Sequence, residues 1–295
     1  MKVIRVNIYL DCIPCFLRQG LDAARNITQD AWIHEQIVRD VLRLVAELNL
    51  KQPPPWVGKI IHRRLRELTG VADPYRAAKS RFNQLAMSML PELRDRVKRE
   101  PHTLMAAAKA AIAANVIDLG VQSALGENQA AEALRQSCSA DAHGDFAEFQ
   151  RQVDEAREIL YLADNAGEIA VDRLLIEELG PERVTLVVRG TPVINDATIE
   201  DSREVGLHEF VRVLDNGSDA PGTILEDCSD VFRDRFRKAD LIISKGQGNF
   251  ETLSGIDANI FFLLKVKCPV IAEHVMLPVD TLALLRSRKG EIRGH

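Results

Sequence analysis

The feature that most constrains the fold is a series of short apolar runs after residue 150, each followed by a polar or glycine-containing loop. The runs are Ile159–Leu162, Val184–Val188, Val211–Leu214, Leu241–Ile243 and Val270–Ala272. Each run is too short for a helix, and several are β-branched, which is typical of buried parallel strands. Helical stretches lie between them, such as 171–179 and 228–237. This alternation predicts an α/β fold with an open, mainly parallel sheet and helices on both faces.

The first 150 residues have a helical pattern instead. Apolar residues recur at helical spacing from Ile37 to Val45, with charged residues between them. Turn residues at 69–74 precede another helix over 75–90, and an alanine-rich stretch over 104–119 indicates a buried helix. We therefore expect two domains, an all-α helical bundle over 1–150 and an α/β domain over 151–295.

The composition argues against several classes of partner. The 295 residues carry 38 basic and 43 acidic side chains, a net charge of -5, and only 5% are aromatic. We therefore expect neither an extended basic surface for binding nucleic acid nor a set of aromatic side chains that stack on bases. No segment approaches the roughly 20 apolar residues that span a bilayer, and the N-terminus does not read as a signal peptide. We expect a cytoplasmic chain without membrane partners, and no feature indicates its oligomeric state.

Candidate site residues follow the predicted strands, because ligands bind beyond the carboxyl ends of the strands in an open parallel sheet. The candidates are Asp164, Asn165 and Glu168 in the first loop, Arg189, Asn195 and Asp196 in the second, and Lys245, Gly246, Gly248 and Asn249 in a third. Two of these loops contain an acid–amide pair, and the other contains a lysine beside a glycine turn.

These residue types suit a site for phosphate and a metal ion. Asp and Asn supply the oxygen ligands that hard divalent cations prefer. Lys245 could neutralise a transferring phosphoryl group, and backbone N–H groups at a helix start could hold it. A metal-bound water or a covalent Asp nucleophile could then attack, and the sequence leaves both routes open.

Each loop also has a simpler explanation. Asp and Asn after a strand are common helix N-caps and turn formers. For any one loop alone, capping explains the residues better than a site does. Three such loops at the strand ends of one sheet are harder to explain as caps, so their combination favours a functional site.

The same loops resemble the damage-control phosphatases once catalogued as domain of unknown function 89. The segments that carry the resemblance are Asp164–Glu168, Arg189–Thr198 and Ser244–Glu251, with Asp11–Gln19, Asp73–Asn83 and Ala114–Asp118 in the N-terminal half. The likeness spans nearly the whole chain, and the opening Cys12-x-x-Cys15 resembles the prokaryotic branch of the family.

The resemblance implies a metal-dependent phosphomonoester hydrolase that acts on a small phosphorylated metabolite, such as a damaged or side-product sugar phosphate. Its cofactor would be manganese, cobalt, nickel or magnesium. The residues that it implies are Asp164, Asp196 and Lys245 for catalysis, Glu168, Arg189, Asn195, Gly246, Gly248 and Asn249 for substrate binding, and Asp164, Asn165 and Asp196 for the metal. Lys245 would contact the substrate phosphate.

Two other functions remain open from the residues. A nucleotide-cofactor enzyme, such as an S-adenosylmethionine-dependent carboxyl methyltransferase, would use the loop at 163–168, but that loop has one glycine where a dinucleotide turn needs three. A non-catalytic metabolite-binding protein could use the same cleft. In either case the clustered carboxylates would repel one another unless a cation lies among them.

The cysteines do not form a recognisable framework. Cys12 and Cys15 have redox-pair spacing, but no strand–helix unit surrounds them as in a thioredoxin site. A zinc site would need a second ligand pair, and Cys138, Cys228 and Cys268 are isolated in the sequence. The simplest interpretation is a pair of reduced thiols at a helix start, with a structural role or a position near the site.

Overall fold

The fold is built on a sheet of eight strands, seen in a computed structural model that describes residues 6–115, 131–136, 140–288 and 291–293. The strands are β1 (Ala142–Gly144), β2 (Ile159–Leu162), β3 (Val184–Val188), β4 (Arg212–Asp215), β5 (Leu241–Lys245), β6 (Ile260–Lys265), β7 (Leu282–Arg288) and β8 (Glu291–Arg293). Their order is β1-β7-β6-β5-β2-β3-β4, with β8 paired to β7. Strands β2 to β6 are parallel, and β7 is antiparallel to β6. The predicted mainly parallel sheet is confirmed.

Four of the five predicted apolar runs are strands, namely β2, β3, β4 and β5. The fifth prediction is wrong, because Val270–Ala272 lies in a helix that spans Pro269–Val275. Proline suits the first turn of a helix, and the buried Ile271 and Val275 are four residues apart on one helical face. The parallel strand next to β5 is instead β6, a run of aromatic and leucine residues.

The helices surround this sheet. They are α1 (Cys12–Ile27), α2 (Ala31–Ala46), α3 (Pro54–Thr69), α4 (Arg76–Arg99), α5 (Thr103–Ala114), α6 (Phe146–Glu155), α7 (Glu168–Leu179), α8 (Ile199–Glu204), α9 (Asp230–Lys238), α10 (Gln247–Leu253) and α11 (Pro269–Val275), with a further helical segment over 131–136. The last residues of the helix predicted over 104–119, and Cys138, lie outside the described residues. Within the described ranges, no helix combines the length and the apolar character that a membrane crossing requires.

Three apolar clusters hold these layers together. Helices α4, α5 and α7 cover one face of the sheet, where Leu93 and Leu175 share a cluster with Tyr161 of β2. Helices α9, α10 and α11 cover the other face. A third cluster joins α1, α2 and α3. Helices on both faces are therefore confirmed, and α4 and α5 contribute to the sheet's own core. The division into domains at residue 150 stays a prediction.

The strand order creates a crevice beside β2. The chain runs from β2 to β3 and β4 on one side, and then returns to β5 and β6 on the other side. Loops that leave β2 and β5 therefore diverge at their carboxyl ends, which is where open α/β sheets bind ligands. The register pairs Leu162 at the end of β2 with both Val187 and Ser244. The three predicted loops consequently begin at the same level of the sheet.

Candidate active site

The loops after β2 and β3 are joined through their main chains. Asn165 and Asp196 form an isolated antiparallel bridge, and the N–H of Ala197 donates to the carbonyl oxygen of Asp164 at 2.8 Å. This pairing sets the two acid–amide pairs that were predicted from the sequence side by side.

The backbone is strained immediately before the second pair. Ile194 has a φ of 46°, in the left-handed region that residues with a side chain rarely adopt. The following residues hold it there, since the carbonyl oxygen of Asn195 accepts from Ala166 at 2.8 Å and the N–H of Asp196 donates to Val193 at 3.1 Å. Strain of this kind, which costs on the order of 1–3 kcal/mol, is common at functional sites.

Asp164 is a carboxylate surrounded by amides. Its Oδ2 atom accepts from Nδ2 of Asn115 at 3.0 Å and from Nδ2 of Asn165 at 2.9 Å. The same two amides donate to Oε2 of Glu168, at 2.9 and 3.1 Å. Burial, the Glu168 charge and the Asp196 charge raise the pKa of Asp164 well above its ordinary value. An additional cation at this position would therefore stabilise the ionised form of Asp164.

Arg189 orients the second carboxylate. Its Nε atom donates to Oδ2 of Asp196 at 2.6 Å, and its Nη2 atom lies 4.0 Å from Oδ1 of Asp164. Only 2% of Arg189 is exposed. The guanidinium that was predicted to bind substrate is thus engaged by protein groups, and it fixes Asp196 beside Asp164.

Asn249 connects the loops. Its Oδ1 atom accepts from Arg189 at 3.2 Å and from Oγ1 of Thr223 at 2.8 Å. Its Nδ2 atom donates to the carbonyl oxygens of Ala163 at 3.2 Å and Lys245 at 2.8 Å. Asn249 therefore ties the ends of β2 and β5 to the arginine that orients Asp196.

Lys245 is enclosed by two carboxylates on α7. Its Nζ atom donates to Oε1 of Glu168 at 2.6 Å and to Oδ1 of Asp172, and all three residues are fully buried. The hydroxyl of Tyr161 donates to Asp172 at 2.8 Å. Burial lowers the pKa of Lys245, but the two carboxylates more than offset this, so the group stays protonated. Burial raises the pKa of Asp172 to about 6, against the opposing effect of Lys245.

Two glycines in the loop after β5 permit close approaches. Gly246 has a φ of 78°, and a Cβ atom there would lie 1.9 Å from Oδ2 of Asp164. Gly248 approaches a different segment and not Asp164. A Cβ atom on it would lie 2.3 Å from the carbonyl oxygen of Pro221. Gly246 thus brings the loop against the carboxylate, whereas Gly248 lets α10 pack on the segment that contains Pro221.

Helix α4 supports the site with residues to which the sequence assigned no role. Lys79 and Asn83 have no exposed area, and both contact Asp201, at 2.7 and 3.1 Å. Asp201 also caps α8 by accepting from the hydroxyl of Thr198 at 2.7 Å. The side-chain oxygen of Asn83 accepts from the N–H of Gly167 at 2.6 Å. The resemblance over Asp73–Asn83 was the available signal for these contacts.

The cysteines lie at the edge of this region. Cys12 is the first residue of α1 and is half-buried, and Cys15 is exposed. Burial raises the pKa of Cys12 to about 11, and Glu251 and Cys268 act in the same direction. Cys268, which looks isolated in the sequence, thus acts on the pKa of Cys12 in the fold.

The residues present fit a hard divalent ion. Asp164 and Asp196 offer carboxylate oxygens, and Asn165, which donates through Nδ2, offers its Oδ1 atom as a third candidate oxygen ligand. In that part of the chain, no three His, Cys, Asp or Glu side chains are grouped to hold a metal. The candidate ligands are therefore two carboxylates and an amide, a set that suits a cation with oxygen preference.

Comparisons with known proteins identify the family of the chain. Residues 8–281 match the family described as the damage-control phosphatase ARMT1-like domain. A damage-control phosphatase of Pyrococcus horikoshii is 33% identical over 290 residues, 96% of this chain and 99% of that protein. One of Archaeoglobus fulgidus is 34% identical over 277 residues, 92% of this chain and 96% of that protein.

Similarity extends to an uncharacterised protein of Methanocaldococcus jannaschii, 34% identical over 296 residues, 95% of this chain and 96% of that protein. The crystal structure of a DUF89 family protein from Pyrococcus horikoshii aligns with a TM-score of 0.84 at 33% identity, over 96% of this chain and 99% of that one. The resemblance seen in the sequence is thereby confirmed, and the chain belongs to the damage-control phosphatase ARMT1-like family.

Proposed function

We propose that this chain is a cytoplasmic, divalent-metal-dependent phosphatase that hydrolyses a small phosphorylated metabolite. Family membership and relatives named as damage-control phosphatases support the reaction class. The proposal of metal dependence rests on the surroundings of Asp164, at the crevice beside β2. Its carboxylate accepts from two amides and has two carboxylate neighbours, and its pKa is raised.

Asp164, Asp196 and the side-chain oxygen of Asn165 would hold the ion. When bound, a divalent ion polarises phosphoryl oxygens and lowers the pKa of a coordinated water. Arg189 keeps Asp196 in place through the 2.6 Å bond, and the N–H of Ala197 fixes the Asp164 main chain. The chain thus arranges its ligands before the ion arrives, so little reorganisation energy is needed on binding.

Lys245 acts on the site indirectly, through the buried carboxylates of Glu168 and Asp172 to which it donates. Its ammonium compensates the charge of Glu168, and Glu168 in turn shares the amides of Asn115 and Asn165 with Asp164. This chain of contacts orients both amides, so that their donors point at carboxylates. Asn165 thereby donates through its Nδ2 atom, and its Oδ1 atom would be the oxygen that it offers to the ion.

Hydrolysis of an aryl phosphate by the purified full-length chain tests the proposal. Activity should appear on addition of manganese, cobalt, nickel or magnesium and should fall by at least ~1000-fold in Asp164→Ala, because a principal ligand is lost. Asp234→Ala is the matched control, since Asp234 lies on α9 and pairs with Lys238 on the surface.

Two results would contradict the proposal. One is turnover no higher than that of Asp164→Ala with any of the four metals. The other is thermal stabilisation by S-adenosylmethionine or a nicotinamide dinucleotide without any effect of metal, which would favour a nucleotide-cofactor enzyme.

A further inference from the structure

A cavity lies at the opposite edge of the sheet from the candidate active site. It has a volume of about 230 Å³ and is formed where β2, β3 and β4 begin, against the last turn of α9. Asp164 and Asp196 follow the carboxyl ends of β2 and β3, so the length of the strands separates them from this cavity, roughly 13 Å for the four residues of β2. The cavity is therefore distinct from the proposed phosphatase site.

The sheet forms one wall of the cavity with three residues in register. Leu160 of β2 pairs with Thr185 of β3, and Thr185 pairs with Arg212 of β4. Alternate residues of a strand point to opposite faces, and Leu160 and Val187 both belong to the apolar cluster on the α9 side. Thr185 and Arg212 therefore face α9, which adds Arg235 to the lining.

Positive charge predominates around the cavity. Its charged lining consists of four arginines and two exposed glutamates, namely Arg157, Arg183, Arg212, Arg235, Glu158 and Glu182. Arg183 is engaged, because its Nη1 atom donates to the carbonyl oxygens of Val153 and Ala156 at 2.8 and 2.7 Å. The guanidinium groups of the other three arginines make no hydrogen bond or ion pair with any residue that the structure describes. Cations that converge in this way repel one another, so a bound anion would stabilise them.

Arg235 differs in this respect from the other basic residues of α9. Arg237 and Lys238 both pair with Asp234, at 3.6 and 2.7 Å, and Arg233 also has an acidic partner on the helix. Arg235 is partly buried and has no such partner in the described part of the chain. The basic residue of α9 that lines the cavity is thus the one whose charge is left uncompensated.

Thr185 adds a buried hydroxyl to the same wall. It is 8% exposed, and its hydroxyl makes no hydrogen bond to the residues described. Every other residue of β3 is valine or leucine. Because buried hydroxyls are normally hydrogen-bonded, an oxygen atom of a molecule in the cavity would be a suitable partner.

We propose that this cavity binds the phosphate group of a small compound, through the guanidinium groups of Arg157, Arg212 and Arg235 and the hydroxyl of Thr185. A guanidinium is a planar fork of donors that matches phosphate oxygens. Three forks from separate elements suit a tetrahedral oxyanion, whereas a single fork satisfies a planar carboxylate. Pockets for larger organic ligands begin at about 300 Å³, so this cavity suits inorganic phosphate or a short phosphate ester better than a nucleotide.

Calorimetric titration of the metal-free, full-length protein tests the proposal, with inorganic phosphate and glycerol 3-phosphate as the two probes. The wild type should bind one equivalent of at least one probe with a Kd below ~1 mM. Tighter binding of inorganic phosphate would identify the free ion as the ligand, tighter binding of the ester would identify a phosphorylated metabolite, and either result supports the site. Since no metal is present, the result does not depend on the proposed phosphatase function.

Variants locate the binding. Arg212→Gln and Arg235→Gln should each weaken it at least ~10-fold, because each removes a charged donor, and Thr185→Val should weaken it about 3-fold. Arg237→Gln is the matched control, since it makes the same change on α9 outside the cavity lining, and it should bind like the wild type. Arg212→Gln should also hydrolyse an aryl phosphate at the wild-type rate, because Arg212 lies at the other edge of the sheet.

Three results would overturn the proposal. They are no binding of either probe to the wild type, an affinity of Arg212→Gln within twofold of the wild type, or an equal loss of affinity in Arg237→Gln. Arg212 is exposed, so Arg212→Gln decides the matter even if replacement of the partly buried Arg235 disturbs folding. Thermal unfolding of each variant identifies any that is not folded.

Discussion

Two neighbouring clusters at the carboxyl edge of the sheet each contain two buried carboxylates, but they compensate the carboxylate charge in different ways. The open cluster comprises Asp164, Asn165 and Asp196, and the sealed cluster comprises Lys245, Glu168 and Asp172. Asp164 is 8% exposed and is bonded to amides, whereas every member of the sealed cluster is fully buried around an ammonium. Asp164 of the open cluster is therefore bonded to amides, with Arg189 paired to Asp196 beside it, whereas the two carboxylates of the sealed cluster share one ammonium.

Glu168 links the two clusters. Its Oε1 atom accepts from Lys245, and its Oε2 atom accepts from the amides of Asn115 and Asn165 that also serve Asp164. The difference between the clusters thus lies in how the carboxylate charge is compensated, by amides and Arg189 in the open cluster and by Lys245 in the sealed cluster. Under the proposed function, the open cluster would bind the ion and the sealed cluster would support it.

Removal of the lysine from the sealed cluster should have the largest effect. Lys245→Met leaves Glu168 and Asp172 buried without their cation, and we expect the free energy of unfolding to fall by about 4 kcal/mol. Denaturant unfolding measures this change. Asp172→Asn in the same background should recover part of the loss, since it removes one uncompensated carboxylate.

Exposed Lys238→Met is the control for Lys245→Met. Lys238 pairs with Asp234 at 2.7 Å on the surface, and its loss should leave the unfolding midpoint unchanged. If Lys245→Met were as stable as this control, the sealed cluster would not be the support described here.

A methyl group in the open cluster should have the next largest effect. Gly246→Ala would bring Cβ to within 1.9 Å of Oδ2 of Asp164, so the carboxylate must move. We expect aryl phosphate hydrolysis to fall about 100-fold, because displacement of a ligand by about 1 Å is sufficient for such a loss.

Gly70→Ala separates this contact from backbone strain. Gly70 has a similar φ, 67° against 78° for Gly246, but nothing lies within 4 Å of a Cβ atom there. The control should lose about 1 kcal/mol of stability and retain its activity. Equal activities in the two variants would mean that Gly246 does not position Asp164.

Glu251 offers the smallest effect, seen in the pH dependence of stability. Burial raises the pKa of Glu251 from 4.5 to about 7, so the folded state retains this proton longer than the unfolded state. The free energy of unfolding should therefore decrease as the pH rises from about 4.5 to about 7. Glu251→Gln removes this contribution, and at pH 8 the variant should exceed the wild type by about 3 kcal/mol relative to their difference at pH 4.5. Unfolding curves that differ by a constant amount over this range would show that Glu251 does not retain its proton.

Much of the fold could be predicted because buried parallel strands are short apolar runs. Strands β2, β3 and β5 are buried at every position, and their sequences show it. Strand β6 was missed because its phenylalanines and leucines favour helix and strand alike, and periodicity cannot separate the two in so short a run. The antiparallel direction of β7 depends on pairing with β6 and leaves no local signal.

The site was partly predictable for a related reason. The three loops could be grouped because each follows a predicted strand. Asn115 ends a helix in the other half of the chain, so its contact with Asp164 depends on tertiary packing. The ion pairing of the buried Lys245 likewise depends on Asp172, which lies inside α7.

Binding of Mn²⁺ to the metal-free protein tests the division between the two clusters most directly. Electron paramagnetic resonance titration should show one tightly bound ion in the wild type and in Asp172→Asn, from the sealed cluster. Asp164→Asn, from the open cluster, should bind at least ~10-fold more weakly, since a carboxylate ligand is lost while the amide pairing is kept. Equal affinity of Asp164→Asn and the wild type, or a larger loss in Asp172→Asn, would contradict the assignment of the metal to the open cluster.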